Sequence, residues 1–189
     1  MLQRFLLVIF LFCQFAFTSA QDSKSIYIKG NALTLPVLFL NGGFEFQLSD
    51  QYTLQTDAFV SPWKSYNGQH AQVYMGHIEG RYYFKQAFDK WYIGGNLGTG
   101  VFDLTKWGHV HLGQYQKGYL FMFGAVVGYQ WKWKEKWNID FFLRGGSTQS
   151  YYRGYNPDGS RYEETPSNWN KSAEFLPFGG GIMISYKLR

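Results

Sequence analysis

The chain has 189 residues, which favours a single domain, and its formal net charge of +5 is spread along the sequence without the basic run of a nucleic-acid-binding arm. Aromatic residues make up 21% of the chain and charged residues 16%, with 22 glycines, yet the mean hydropathy is only −0.29. This combination excludes a helical membrane protein and is typical of strands in which apolar and polar residues alternate.

Residues 1–20 are predicted to be a secretory signal peptide rather than part of the fold. Arg4 is their single charge, an apolar run spans about residues 5–17, and small residues precede the expected cleavage. This run is too short for a membrane-spanning helix, which needs about 20 apolar residues, although an N-terminal anchor is an alternative. The only cysteine, Cys13, is removed with this segment, so residues 21–189 form one predicted domain without disulfides or cysteine ligands.

The first half of this domain contains four runs in which apolar and polar residues alternate. A period of two is the mark of a strand with two different faces. In the second run, for example, Phe44 and Phe46 share one side while Glu45 lies on the other. The four runs span residues 28–40, 42–48, 52–63 and 72–84.

The second half contains four more runs of this kind, and we find no convincing helix. In the sixth run, Phe121 and Phe123 lie on the side opposite to Gly124. The runs span residues 91–104, 118–133, 137–150 and 173–188. The apolar side of the last run is predicted to comprise Leu176, Phe178, Ile182, Ile184, Tyr186 and Leu188.

Alternation alone does not decide which face is buried. A soluble β-sandwich or lipocalin-like barrel places its apolar face inside, whereas a membrane barrel turns that face to lipid. Glycine favours the membrane barrel, because it weakens a strand unless another group must approach closely, as in a narrow interior crowded with side chains. The less apolar faces of runs five, six and eight carry Gly94, Gly98, Gly100, Gly124, Gly128, Gly179 and Gly181.

Aromatic residues gather beside two short turns, 85–90 and 134–136. Rings of Trp and Tyr at one height are typical of a membrane–water interface, where an amphipathic side chain meets both of its environments. An ordinary aromatic core is the alternative interpretation. The predicted aromatic girdle consists of Phe84, Trp91, Trp131, Trp133 and Trp137.

The connections between the runs alternate in length. Short turns on one side and longer loops on the other are the rule for outer-membrane barrels. We therefore predict an all-β fold, an eight-stranded antiparallel up-and-down transmembrane β-barrel in a bacterial outer membrane, with a lumen filled by side chains. The short connections are 49–51, 85–90 and 134–136, the longer ones are about 64–71, 105–117 and 151–172, and a first connection near residues 41–42 breaks the trend.

Four stretches of the chain resemble an uncharacterised family of short outer-membrane β-barrels common in Bacteroidota. Residues 41–48, with Leu54 and Pro62-Trp63, look like its opening hairpin, and residues 79–84, with the sequence EGRYYF, are similar to its fourth strand. Residues 92–100 and 118–140 resemble its fifth strand and its central hairpin. The resemblance covers most of residues 30–145 and implies the barrel fold and the outer-membrane location, but no activity.

Seven charged or titratable residues are predicted to face the interior of the barrel. A gated or catalytic lumen is one hypothesis. The favoured one is a structural network that fills the barrel, because charges in a narrow interior must pair, and Glu45 and Glu79 are expected to meet arginines there. The predicted lumen charge network comprises Glu45, Asp57, His77, Glu79, Arg81, Asp140 and Arg144.

No phosphate loop, zinc spacing or nucleotide fingerprint is present in the sequence, and we expect neither a cofactor nor a metal. His109 and His111 could hold part of a metal site, but solvated loop histidines are the favoured interpretation. We predict a non-enzymatic protein that acts structurally or binds membrane lipid, other cell-envelope proteins or surface ligands, and no nucleic acid. The candidate loop binding surface consists of Trp107, Tyr115, Tyr151, Arg153, Arg161 and Trp169.

Two other functions stay open at this point. One is a lipid-modifying barrel enzyme, which needs a nucleophile, a base and a residue that orients the base. The other is a soluble periplasmic barrel that binds a hydrophobic ligand. Membrane fractionation distinguishes this soluble barrel from the non-enzymatic membrane barrel and from the lipid-modifying enzyme. The residues that could supply the enzyme's nucleophile or base are Ser147, Ser150, His70, His109 and His111.

Overall fold

The chain is built mainly from strands in a computed structural model, which describes residues 24–105, 107–162 and 168–189. The predicted signal peptide lies outside these residues. None of the helices in the described residues has the length and apolar character needed to cross a membrane. The strands are β1 (Ile26–Asn31), β2 (Leu40–Gln47), β3 (Tyr52–Tyr66), β4 (Gln69–Tyr83), β5 (Lys90–Leu104), β6 (Tyr115–Lys134), β7 (Trp137–Tyr155), β8 (Arg161–Tyr162) and β9 (Asn170–Lys187).

Antiparallel pairing closes eight of these strands into a ring. Each of the strands β1 to β6 pairs with the strand that follows it in the chain. β7 also pairs with β9, and β9 pairs with β1, which closes the ring. The two-residue β8 pairs with the end of β7 and is not part of the ring. The predicted antiparallel all-β sheet is therefore confirmed, with closure through eight strands, although the described strands number nine.

The first strand is shorter than the sequence predicts. The run 28–40 ends as a strand at Asn31, and the 3-10 helix Leu35–Val37 follows before β2 begins. Pro36 lies in this helix, where its fixed φ and missing N–H are tolerated, whereas inside a sheet it would remove a ladder hydrogen bond. The first connection is consequently residues 32–39 rather than a short turn near residue 41.

The connection predicted as a longer loop at about 64–71 is instead a tight turn. Asn67 and Gly68 have φ angles of 51° and 77°, both in the left-handed region that the two-residue turn of a hairpin requires. Asn-Gly is the dipeptide that adopts this turn most readily, so β3 and β4 continue beyond the predicted ends to Tyr66 and Gln69.

The two ends of the ring differ. Both described termini lie at one end, where the backbone N–H of Ile26 donates to the carbonyl of Arg189 at 3.2 Å and that of Lys187 donates to Lys136 at 2.8 Å. We call this the short-turn end, because it carries the connections 48–51, 84–89 and 135–136. The opposite, long-loop end carries 32–39, 105–114 and 156–169 together with the tight turn 67–68.

Successive side chains point alternately into and out of the ring, as in any strand. On β6, Met122 and Val126 are each 2% exposed, whereas Phe123 and Val127 are 52% and 44% exposed. The outward face thus carries large apolar side chains, and the inward face carries most of the buried charges. A water-soluble barrel has the opposite arrangement.

Two predicted facings, those of Phe178 and Leu176, are wrong. Leu176 pairs with Gly146 on the inward face, whereas its neighbour Phe175 is 89% exposed. Gly179 pairs with Arg144, but the register then shifts by one residue, and Phe178 is the extra residue of a β-bulge. Its ring turns inward and stacks on His77 with 6.2 Å between centroids. A Cβ added at Gly179 would lie 2.7 Å from Cγ of Arg144, so this glycine makes room for the arginine side chain.

Candidate functional site

Charged side chains from β1, β2, β3, β4 and β7 meet inside the ring. Alternate positions of each strand point the same way, which is why a period of two in the sequence brings these residues to one interior. Lys29 joins the seven residues predicted there, and the eight together form what we call the interior charge network. All are between 0% and 7% exposed: Lys29, Glu45, Asp57, His77, Glu79, Arg81, Asp140 and Arg144.

Lys29 occupies a central position in this network. Its Nζ lies 2.7 Å from Oε2 of Glu45, 2.8 Å from Oε1 of Gln55 and 2.5 Å from Oδ2 of Asp140. The three hydrogens of one ammonium group therefore have three acceptors. The side chain is only 1% exposed, and burying an ammonium group without such partners would be very costly. Through these contacts Lys29 links β1 to β2, β3 and β7.

Arg81 contacts three carboxylates at once. Its Nε and Nη2 donate to Oε2 of Glu79 at 2.9 and 2.6 Å, and its Nη1 lies 3.3 Å from Glu45 and 2.9 Å from Asp140. The guanidinium carbon also lies 4.5 Å from the centre of the Tyr92 ring. Only a planar guanidinium offers this many donors together with a flat face for stacking, so a lysine would not replace it.

Arg144 extends the network toward the long-loop end. Its Nη2 lies 3.0 Å from Oδ2 of Asp57 and 2.9 Å from Oε1 of Glu79. Because Glu79 also accepts from Arg81, the two arginines belong to one continuous network. Asn41 donates to Oδ1 of Asp57 at 2.9 Å, and Nη1 of Arg144 donates to the same oxygen at 3.4 Å.

Hydroxyl groups hydrogen-bond to the oxygens of Glu45 and Asp140 that do not contact a lysine or an arginine. Thr53 donates to Oε1 of Glu45 at 2.6 Å, and Tyr92 donates to Oδ1 of Asp140 at 2.9 Å. The hydroxyl oxygen of Tyr83 lies between Oε1 of Glu45, at 2.7 Å, and the side-chain amide of Gln130, at 2.5 Å. Hydrogen bonds to charged groups are among the stronger ones in proteins, so these hydroxyls fix the orientation of the buried carboxylates.

The charges of the network nearly balance. Lys29, Arg81 and Arg144 face four carboxylates, each of which has a lysine or arginine nitrogen within 3.0 Å. Because all of these groups are buried and directed at one another, none is presented to a molecule outside the ring. In an eight-stranded ring, whose interior is just wide enough for side chains, such a network fills the cross-section.

The interior is also closed at the short-turn end. In the connection 84–89, Ala87 and Phe88 are 5% and 3% exposed and pack with Tyr27, whose ring lies 4.4 Å from that of Phe88. Phe88 has a φ of 65°, a costly conformation for a bulky residue, which the surrounding contacts hold in place. This turn therefore folds inward beneath the network.

A cavity of about 110 Å³ lies on the other side of the network. Phe59, Met75 and Phe178 line it together with His77 and Asn41. The pockets that bind organic ligands are usually about 300–1,000 Å³, whereas a water molecule needs about 30 Å³. The cavity has room for a few water molecules and is too small for a typical organic ligand.

The residues of the predicted aromatic girdle all lie on the outside of the ring near the short-turn end. Neighbouring tyrosines join them: Trp91 packs edge-on against Tyr129 at 5.2 Å, and Trp137 lies 4.8 Å from Tyr186. The predicted members, which are 39% to 57% exposed, are Phe84, Trp91, Trp131, Trp133 and Trp137.

The residues of the predicted loop surface lie on strands more than on loops, because β7 continues to Tyr155. Tyr151 stacks on Tyr119 at 5.3 Å, and Tyr115 stacks on Tyr155 at the same distance. Arg153 lies 4.4 Å from the centre of the Trp169 ring. Arg161, on β8, donates to the carbonyl of Asn168 at 3.3 Å. Trp107 lies in a second 3-10 helix, Trp107–Leu112, with its side chain outside the described part of the chain.

A family model described as "Protein of unknown function (DUF3575)" matches residues 7–188. The chain belongs to this family. No curated protein matches the sequence. Among solved structures, the solution structure of outer membrane protein W of E. coli is similar, with a TM-score of 0.45 and 12% sequence identity over 89% of this chain and 100% of that one.

Several interior residues of this DUF3575 protein are not among those predicted from the sequence, above all Lys29. Its signal was present, because Ile26 and Ile28 alternate with Tyr27 and Lys29, but the facing of the first run was not assigned. Tyr83 was also missed, although it shares the odd-numbered positions of Glu79 and Arg81 on the same strand. The period of two therefore contains the signal for both residues.

The groups considered for catalysis or metal binding do not come together in the described residues. His70 is held by Asp103, with 2.6 Å between Nδ1 and Oδ1, and stacks on Tyr115, but no serine side chain hydrogen-bonds to its imidazole there. Ser147 instead accepts a hydrogen bond from Gln149 at 2.8 Å. No cluster of three or more His, Cys, Asp or Glu side chains suited to a metal ion occurs within residues 24–105, 107–162 and 168–189.

Proposed function

We propose that this protein is a non-enzymatic β-barrel of the bacterial outer membrane, which it spans with β1–β7 and β9. Its lumen is filled by the interior charge network, so it acts as a structural element or binds lipid and cell-envelope partners through its long-loop end. The observation that carries this proposal is the inverted distribution of polarity between the two faces of the sheet.

The inversion is large on both faces. Ile78, Leu97 and Leu143 are 55%, 66% and 55% exposed on the outside, while Glu45 and Glu79 on the inside are completely buried. Each exposed side chain of this size costs about 1.5–3 kcal/mol in water relative to an apolar environment. In a bilayer the same side chains contact acyl chains, so the arrangement becomes favourable.

The apolar band has the height of a membrane. On β6, Tyr119 and Tyr129 are ten residues apart, which corresponds to about 33 Å along the strand. At a strand tilt of about 40° this is about 25 Å along the barrel axis, the height of the apolar band in outer-membrane barrels. The outward residues between the two tyrosines are Phe121, Phe123, Ala125 and Val127.

Membrane fractionation combined with a gel of unheated and boiled samples tests the proposal. The full chain, expressed in a Gram-negative host, is expected in the outer-membrane fraction. Its unheated form should resist SDS and migrate differently from the boiled form, because all eight strands of the barrel are paired on both sides. A protein found in the soluble periplasmic fraction, with the same migration before and after boiling, would contradict the membrane barrel and favour a soluble one.

A further inference from the structure

A group of cations lies on the outside of the barrel at its long-loop end. Lys117 on β6 is directly opposite Arg153 on β7, and Lys171 on β9 is directly opposite Tyr151. Lys117 has the same strand parity as the exposed Phe121 and Phe123, and Tyr151 stacks on the exposed Tyr119, so these residues share the outward face. We call Lys117, Arg153 and Lys171 the outer basic cluster.

Aromatic rings position these cations but do not neutralise them. Arg153 lies 4.4 Å from the centre of the Trp169 ring, Lys171 lies 5.6 Å from that of Tyr151, and the Nζ of Lys117 lies 5.2 Å from that of Tyr115. Contacts of this kind order a cation on a ring face and leave its charge available to an anion.

Few carboxylates compensate the cluster. Asp103 lies 3.0 Å from Lys117 and is also held by His70. In the described part of the chain, neither Arg153 nor Lys171 has a carboxylate within 4.0 Å, and Arg153 donates to the carbonyl of Asn168 at 3.2 Å. Like charges directly opposite each other on paired strands are unfavourable, so the Lys117–Arg153 pair is retained at a cost to stability that an anion would remove.

The height of the cluster matches the headgroup layer of a membrane. Lys117 and Arg153 lie two residues beyond Tyr119 and Tyr151, which mark the edge of the apolar band. Two residues of a tilted strand correspond to about 5 Å along the barrel axis, and the headgroup region on each side of the hydrocarbon core is about 5–7 Å thick. The cluster is thus placed where lipid phosphates lie.

An apolar groove of about 990 Å³ runs over the outward face below the cluster, partly on the same strands. Ser147 and Gln149 lie between the cluster and this groove and hydrogen-bond to each other. On β7 the groove is lined at Gly145, which is six residues from Tyr151, or about 15 Å along the axis, half the thickness of the hydrocarbon core. The residues that line the groove include Tyr82, Ile93, Ala125, Val127, Leu143 and Phe175.

From this geometry we infer that the outer basic cluster binds the phosphate groups of a phosphorylated glycolipid of the outer leaflet, and that an acyl chain of that lipid occupies the groove. The inference rests on the proposed outer-membrane barrel. The glycolipid fits because it combines an anionic, phosphate-bearing headgroup with several acyl chains, and both features have a matching surface on β6 and β7.

Native mass spectrometry of the purified barrel in detergent tests the inference. The probes are bisphosphorylated lipid A, the same lipid without phosphates, and inorganic phosphate. The test variant is K117Q/R153Q/K171Q, and the matched control K24Q/K134Q/K136Q removes three positive charges near the short-turn end. A further variant, Ala125→Trp, fills the groove without changing any charge.

We expect the wild type and the control to bind bisphosphorylated lipid A equally, and the test variant to bind it on the order of a hundredfold more weakly, since each of the three basic residues near a membrane surface contributes about 1 kcal/mol and about 1.4 kcal/mol corresponds to a tenfold change in affinity. Ala125→Trp should also weaken binding. Unchanged binding by the test variant, or equal binding of the dephosphorylated lipid, would overturn the inference. Inorganic phosphate binding as tightly as lipid A would overturn the assignment to a lipid.

Failure of this inference is distinguishable from failure of the proposed function. A heat-modifiable protein of the outer-membrane fraction that does not discriminate between the lipids contradicts the glycolipid site alone. A soluble protein with the same migration before and after boiling contradicts both.

Discussion

The interior charge network and the outer basic cluster hold charges in opposite ways. Inside, Lys29, Arg81 and Arg144 are at most 3% exposed, and each has at least two carboxylates within 3.3 Å. Outside, the side chain of Lys117 is 49% exposed, and Asp103 is the carboxylate that contacts the cluster among the described residues.

The difference shows how the environment decides what a charge can do. A buried charge without a partner costs several kcal/mol, so the interior residues are paired with one another and are not available to a ligand. An exposed charge is already solvated and can remain without a carboxylate, which leaves it free to bind an anion from the surroundings. We therefore propose that the interior network contributes to stability and that the outer cluster contributes to recognition.

The largest expected effect is the removal of one interior cation. Arg81→Met deprives Glu45, Glu79 and Asp140 of a partner inside the barrel. Breaking a buried ion pair in this way typically lowers the free energy of unfolding by about 3–5 kcal/mol. Urea unfolding of the barrel in detergent micelles, followed by tryptophan fluorescence, measures the change.

Arg153→Met is the matched control from the outer surface, with an expected change of about 0–1 kcal/mol because exposed charges contribute little to stability. If Arg81→Met and Arg153→Met unfold at the same urea concentration as the wild type, the interior network is not what stabilises the barrel.

A charge placed on the apolar outside should have the next largest effect. Ala125→Arg near the middle of the apolar band is expected to cost about 2–4 kcal/mol, whereas Tyr119→Arg at its edge should cost about 0–1 kcal/mol. Unfolding in lipid vesicles gives both values. Equal costs at the two positions would mean that the outward face does not contact the bilayer core.

Single cysteines on β6 test the same facing without a stability measurement. A fluorophore at position 123 or 127 should be strongly quenched by a probe confined to the bilayer core, because Phe123 and Val127 point outward. The same label at position 122 or 126 should be protected, since Met122 and Val126 are inside. Quenching at positions 122 and 126 instead would mean that the even-numbered residues of β6 face the lipid and the odd-numbered ones face the interior.

Removal of a single tyrosine hydroxyl should lower stability more on the inside of the barrel than on the outside, although the expected change is smaller than for Arg81→Met or Ala125→Arg. Tyr92→Phe takes a hydrogen-bond donor from buried Asp140 and should lower the free energy of unfolding by about 1.5–3 kcal/mol. Tyr119→Phe, at a position 36% exposed, should change it by less than about 0.5 kcal/mol. The same urea titration compares the two variants. Equal changes in the free energy of unfolding would show that a buried hydroxyl contributes no more to stability than an exposed one.

The smallest expected effect concerns the opposed pair of the outer cluster. K117Q/R153Q should leave stability in lipid-free detergent unchanged or raise it by up to about 0.5 kcal/mol, because it removes two like charges directly opposite each other. A marked loss of stability in urea would mean that these residues stabilise the barrel rather than bind a ligand.

Particular residues show where prediction from sequence succeeded and where it stopped. Glu45, Glu79 and Arg81 could be assigned to the less apolar face because they alternate with apolar neighbours, and the glycine, aromatic and loop patterns indicated that this face is the inner one. The tight turn at Asn67 and Gly68 was equally visible as a hairpin signal, but it was overlooked within a stretch assigned to a loop. The inward turn of Phe178 was not visible, because a β-bulge depends on the register with β7.

The sequence by itself determined the strand content, the two faces of the sheet and the aromatic rows, since these follow from local alternation along each run. Only the tertiary structure decided which charges meet. Lys29 and Asp140 are 111 residues apart in the chain, yet their side chains lie 2.5 Å apart. Such a contact depends on ring closure, on register and on side-chain length across the interior, and none of these is a property of a single strand.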